Sequence, residues 1–212
     1  MRSLLIVPPG DAQALARGLA SGAEALVVDA GAAVSGGPAI FARVRPLDSA
    51  EALPDIAAAA GMGARGLALP QATGGDDVQR LGARLAVQEA RLGLPDGTLQ
   101  ILAFVSEIPQ AIFGLSSYRG ASLRLAGLVF TAAPLAARLG AAGRGGSPLR
   151  LARDLTLFAA RSAGVPALDA PYADVDDLDG LREEAKAARD DGFDGKAALD
   201  PAQVAIINAV FR

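Results

Sequence analysis

Short apolar runs alternate with longer segments whose apolar residues recur at helical spacing. Runs at residues 2–8, 25–29, 40–46, 66–70, 101–107, 128–130, 167–169 and 193–199 are bounded by Gly, Pro or charged residues. Such runs read as strands buried on both faces. Between them, helical patterns cover residues 11–22, 49–60, 76–92, 110–115, 148–163, 178–188 and 201–211. Asp11 and Ser49 are positioned to cap the first two of these. The segment 76–92 is the clearest amphipathic one: Val78, Leu81, Leu85 and Val87 are apolar and Arg80, Arg84 and Glu89 polar. Residues 31–38 form a Gly-rich connection with no room for a helix, and residues 140–147 a linker-like, mobile loop. The alternation repeats about eight times without a break, which predicts one compact (β/α)₈ TIM barrel over residues 1–212. A doubly wound open sheet is the alternative. The barrel is favoured because a polar residue closes nearly every strand.

The central run, Ile101 to Glu107, ends in a carboxylate followed at once by Ile108 and Pro109. In parallel α/β folds the chemistry collects at the carboxyl ends of the strands. Glu107 is therefore either a site residue or half of a buried ion pair. Arg43 and Arg45 share one face of the third run, because strand side chains alternate. Asp29, Gln71, Thr131 and Asp169 also fall at strand ends.

Composition narrows the chemistry. The 212 residues contain no His and no Cys, which excludes imidazole bases, Ser-His-Asp triads, thiolate metal sites and disulfides. Acid–base work falls to carboxylates, Tyr118, Tyr172, Lys186, Lys196 or a bound cofactor or metal. All basic residues but those two Lys are Arg, which suits anion recognition rather than proton transfer. A net charge of −3 offers no field for nucleic acid or an anionic membrane. No run approaches a membrane span, and the N-terminal stretch is too soon broken by Pro8-Pro9 for a signal peptide, so a cytoplasmic location is expected. No GxGxxG or Walker loop follows a strand. The acidic run Asp174, Asp176, Asp177 and Asp179 reads as a solvated helix start. Asp169 and Asp200 precede helical runs and suit caps or turns.

Several stretches resemble one family. MRSLLIVPPGD is similar to an RSLLFVPG-type start, ALVVDAGAAV to LDLEDAV, ARVRPLDS to RVNPLDT and LALPQAT to MLPKAE. The run to Glu107 resembles an "IET" strand, and LAGLVFTAAPLAARLG resembles ALVFGAEDLAADLG. The closing GFDGKAALDPAQVAIINAVF resembles GFDGKxxIHPxQVxxINxxF. These are motifs of the citrate lyase β-subunit-like proteins and of the wider HpcH/HpaI aldolase, malyl-CoA lyase and citramalyl-CoA lyase group. The resemblance implies a TIM barrel that cleaves or forms carbon–carbon bonds in 3-hydroxy acids or their CoA thioesters. It implies Mg²⁺ held by a Glu and an Asp, and an Arg on the anionic end of the substrate.

Position by position, the resemblance implies Glu107 as metal ligand and catalytic residue, with Arg43 and Asp29 as further catalytic residues. Arg43, Arg45, Gln71 and Lys196 are the implied substrate-binding set. Pro134 stands where the second metal ligand is expected. Gly31 and Ala32 replace an acidic pair, Gln71 a Lys and Asp200 a His, while Asp194 and Lys196 match. The helix between strands two and three is nearly absent, and relatives usually continue past the position of Arg212. Three readings follow. One is a metal-assisted carbon–carbon lyase acting on a small anionic acid or acyl-CoA. The second is a non-catalytic binding or accessory protein whose metal site is replaced by a network pairing Glu107, Asp29 and Asp200 with Arg43, Arg45 and Lys196. The third is a metal-independent enzyme in which Arg43 and Arg45 bind an anionic substrate. The resemblance also implies a homo-oligomer, a trimer or hexamer.

Overall fold

A computed structural model describes residues 1–34, 36–143 and 145–212. The connection expected at residues 31–38 and the loop expected at residues 140–147 each include one residue, Ser35 and Arg144, that lies outside the described residues. Eight parallel strands close into a barrel: β1 (Ser3–Ile6), β2 (Ala25–Asp29), β3 (Ala39–Arg43), β4 (Gly66–Leu69), β5 (Gln100–Phe104), β6 (Leu125–Val129), β7 (Ala167–Asp169) and β8 (Gly195–Ala198). Each pairs with the next, and β8 pairs back with β1 through Lys196 opposite Ser3. The open-sheet alternative is thereby excluded.

Outside the barrel run α1 (Ala12–Leu19), α2 (Ala52–Gly61), α3 (Gly75–Leu92), α4 (Pro109–Phe113), α5 (Ala132–Leu139), α6 (Ser147–Ala163), α7 (Leu178–Asp191) and α8 (Pro201–Val210). A 3₁₀ turn, Leu115–Tyr118, follows α4. Strand alternation sorts the core into two layers. Leu4, Val27, Phe41, Leu102, Phe104 and Leu168 fill the lumen. Leu5, Leu26, Val28, Leu67, Ile101 and Leu128 face the helices.

Capping follows local chemistry. The carboxylate of Asp11 accepts the Ala14 N–H at 2.8 Å, and Asp177 caps α7. Asp200 caps α8 in a reciprocal box with Gln203. Ser49 does not cap α2, contrary to expectation. That helix starts at Ala52 without a side-chain cap, and the Ser49 hydroxyl is turned to Glu51. On α3, Val87 is half exposed and Glu89 fully buried, the reverse of their hydropathy. Glu89 is held there by Arg124 at 2.7 and 2.8 Å and by the N–H groups of Leu99 and Gly97. No helix lies between β2 and β3 among the described residues, as expected.

Candidate organic-acid site at the barrel mouth

The carboxyl ends of the strands surround a cavity of about 250 Å³. Ile6, Val27, Ala68, Phe104 and Leu199 supply the apolar wall, with Pro70 and Pro171 from the loops and Pro134 from the first turn of α5. Polar groups are few: Arg43, Glu107 and Thr131. Apolar walls with a small number of placed polar groups are the usual make-up of a small-molecule site.

Arg43 ends β3 and lies in register with Asp29 at the end of β2. Its Nη2 donates to the Val7 carbonyl at 2.6 Å. Its Nε lies 4.0 Å from an Asp29 oxygen, is buried, and has no hydrogen-bond partner among the described residues. The other Asp29 oxygen accepts the Gly10 N–H at 2.8 Å, so this carboxylate also fixes the β1–α1 loop.

Glu107 lies three residues past β5. One of its oxygens accepts the Gln71 N–H at 2.7 Å. Gln71 has φ +51°, the only left-handed conformation among the described non-glycine residues, and this turn brings its N–H to Glu107. Burial raises the Glu107 carboxyl above its ordinary range, and the Gln71 N–H and the charges of Arg43 and Arg138 offset this only in part. Beside it, Ser106 bridges β5 to β6: its hydroxyl accepts the Thr131 N–H at 2.7 Å and donates to the Thr131 carbonyl at 3.2 Å. The sequence reading did not single out Ser106. A hydroxyl between an apolar strand and a site Glu is its only signal.

The structure brings Arg43, Glu107 and Asp29 to one end of the barrel. It does not bring Arg45 or Lys196 with them. The Arg45 guanidinium forms a two-pronged pair with Asp55 of α2 at 2.7 and 2.8 Å. The expectation that Arg45 shares a face with Arg43 fails because β3 ends at Arg43, and strand alternation has no hold beyond it. Lys196 is fully buried on the outer side of the barrel wall. It bonds Asp169 at 3.0 Å and Glu184 at 2.7 Å, while Arg153 completes the cluster with bonds of 2.8 and 3.4 Å to Asp169. Burial works against the Asp169 carboxylate, but the Lys196 charge and the Arg153 hydrogen bond hold it below its ordinary range. The network expected to pair Glu107, Asp29 and Asp200 with Arg43, Arg45 and Lys196 therefore does not form as drawn. Only the Asp29–Arg43 approach survives.

The remaining candidates also have other partners. Asp194 accepts the Ala167 N–H and pairs with Arg161. Tyr118 is buried and donates to the Ala72 carbonyl; burial, then Asp77, pushes its phenol up. Tyr172 donates to Asp177. Lys186 pairs with Glu183 on the surface.

An eight-stranded parallel barrel with Arg43 and Glu107 on an apolar mouth cavity is a TIM-barrel protein with a candidate site at the carboxyl ends of its strands. The chain belongs to the HpcH/HpaI aldolase/citrate lyase family, whose model matches residues 6–201. It is 30% identical over 170 residues to citrate lyase subunit beta of Haemophilus influenzae, covering 80% of this chain and 58% of that protein. The chain thus spans less than two thirds of that relative's length. It is also 30% identical over 240 residues to a (3S)-malyl-CoA thioesterase of Cereibacter sphaeroides, covering 99% of this chain and 76% of the relative. Among solved structures, the CitE protein of Mycobacterium tuberculosis in complex with magnesium, acetoacetate and coenzyme A shares the fold. Its TM-score is 0.80 at 22% identity, covering 100% of this chain and 80% of that one.

Proposed function

We propose that the chain is a carbon–carbon lyase that cleaves a 3-hydroxy acid or its CoA thioester in the mouth cavity. The observation that carries this reading is the placement of Arg43 and Glu107 on one apolar cavity at the carboxyl ends of the strands. Membership of an aldolase and lyase family supports the reaction class. In this reading Arg43 holds the substrate carboxylate. Glu107 takes the proton of the 3-hydroxyl. The C2–C3 bond then breaks: the hydroxyl oxygen becomes a carbonyl, and the electron pair passes into an enolate. The enolate carbon takes a proton back from Glu107. Apolar walls strengthen each of these electrostatic contacts by excluding water.

Magnesium is the metal the family resemblance implies, and the donor set does not fit it. Among the described residues no three acidic or other ligating side chains come together. Among the described residues Glu107 is the one acidic side chain lining the cavity, and one of its oxygens already accepts the Gln71 N–H.

The test is turnover of malyl-CoA, citramalyl-CoA and the corresponding free acids, with the 2-oxo acid product trapped as its hydrazone. Glu107→Gln is expected to lower kcat by about a hundredfold or more, and Arg43→Met to raise KM. Turnover indifferent to both substitutions sinks the assignment of the site. The absence of a second acidic ligand at Pro134 favours a second reading, a non-catalytic binding protein. Ligand binding without any turnover would select it.

The homo-oligomer implied by the resemblance finds support in apolar surface on the packed pair α4 and α6. Phe113 is 89% exposed, and Leu151 and Phe158 are more than half exposed. Sedimentation velocity is expected to show an oligomer that Phe158→Glu weakens. Among the described residues no helix is long and apolar enough to cross a membrane.

A further inference from the structure

We propose that the mouth cavity takes its ligand without a divalent cation, and that this ligand is an oxo or hydroxy acid with one carboxylate and a branched apolar substituent. The inference rests on the lyase reading of the same cavity and narrows its substrate.

Three observations carry the metal-free part. The β6–α5 segment that faces the cavity presents Thr131, Ala132, Ala133 and Pro134, none of which carries a carboxylate. Glu107, the one acidic side chain among the described residues of the lining, already spends one acceptor site on the Gln71 N–H at 2.7 Å. Asp29, the next acidic group at this end, is committed to Gly10 and faces Arg43 instead. A divalent ion set among alkyl walls on one carboxylate would lack most of the oxygen ligands it requires.

The ligand class follows from charge and shape. Among the described residues, Arg43 is the only cation lining the cavity. One of its terminal nitrogens is anchored on Val7, and its Nε is buried toward Asp29. A carboxylate from the cavity pairs with the part of the guanidinium that stays accessible. The Thr131 hydroxyl and Glu107 remain for an oxo or hydroxyl oxygen. Everything else the ligand meets is alkyl or aryl: Ile6, Val27, Phe104, Pro171 and Leu199. A second ligand carboxylate would lie against these walls or against Glu107, and both positions are unfavourable. A branched alkyl group buries apolar surface there instead.

Titration calorimetry of the full chain tests this with 4-methyl-2-oxopentanoate, pyruvate and oxaloacetate, each in EDTA and in millimolar Mg²⁺. The branched acid is expected to bind about tenfold or more tightly than either other acid, with the same affinity in EDTA and Mg²⁺. Arg43→Met is expected to lose at least about tenfold. Leu199→Ser, at a partly exposed position that tolerates change, is expected to narrow the preference for the branched acid several-fold. Affinity that requires Mg²⁺, a preference for oxaloacetate or pyruvate, or no binding of any of the three overturns the proposal. Mg²⁺-dependent turnover of malyl-CoA lost in Glu107→Gln would overturn this inference while leaving the lyase reading standing.

Discussion

Two glutamates show how surroundings set the behaviour of the same side chain. Burial by itself would raise Glu89, but the hydrogen bonds from Arg124, the N–H groups of Leu99 and Gly97 and the Arg124 charge bring its carboxyl to about 2. Glu107 has one N–H and only distant cations, so burial wins and its carboxyl is raised. The depressed carboxyl of Glu89 makes a prediction with a sign. Its stabilisation is present above its ordinary value of 4.5 and is lost as pH falls through about 2. The total is about 3 kcal/mol, from roughly 1.4 kcal/mol per pH unit. Urea denaturation between pH 6 and pH 2 should show this loss, and Glu89→Gln should remove the pH dependence at a cost of about 3 kcal/mol, because Arg124 loses its buried counter-ion and keeps only the exposed Asp96. An unchanged acid limb in Glu89→Gln would show that other carboxylates dominate. Lys196→Met should cost a similar amount, about 3 kcal/mol. It should leave affinity for an organic acid unchanged, because Lys196 lies behind the barrel wall.

At the scale of elements, the mouth is positioned by close backbone approaches. The loop after β4 meets the turn after α4, where a Cβ on Gly114 would lie 1.7 Å from the Thr73 carbonyl oxygen. Gly114→Ala must push the two segments apart, at a cost of about 1–3 kcal/mol or more by the measure of overpacked cores. Thermal unfolding checks this, and an unaltered Tm would mean that the loop yields freely. The same displacement moves Gln71, which shares that loop and holds Glu107, so weaker ligand binding should accompany the loss of stability. Gln71→Val should act on the site more directly. A β-branched residue is poorly tolerated at positive φ and costs about 1–2 kcal/mol. Differential scanning fluorimetry combined with ligand titration separates the two effects.

The whole molecule is a closed barrel, so no strand is an edge. β1 pairs with both β2 and β8, and the Lys196 N–H bonds the Arg2 carbonyl at 2.9 Å. Native-state hydrogen exchange should therefore find the amides of β1 and β8 as protected as those of β5. Early exchange confined to β1 and β8 would indicate a barrel that opens at this seam. Closure also explains the position of the site. Every strand ends on the same rim, so residues far apart in sequence, Arg43 and Glu107 among them, come to one cavity.

The eight-fold alternation, the missing helix after β2 and the caps at Asp11 and Asp200 were legible in the sequence, because hydrophobic period and capping are local properties. Glu107 and Arg43 were legible as candidates because they end apolar runs and match family motifs. The partner choices were not. Arg45 turns to Asp55, Lys196 to Asp169 and Glu184, and Glu89 goes inside while Val87 stays out. A charged side chain takes the nearest counter-ion in space, and in a closed barrel that neighbour is set by strand register and helix packing, which sequence spacing does not contain.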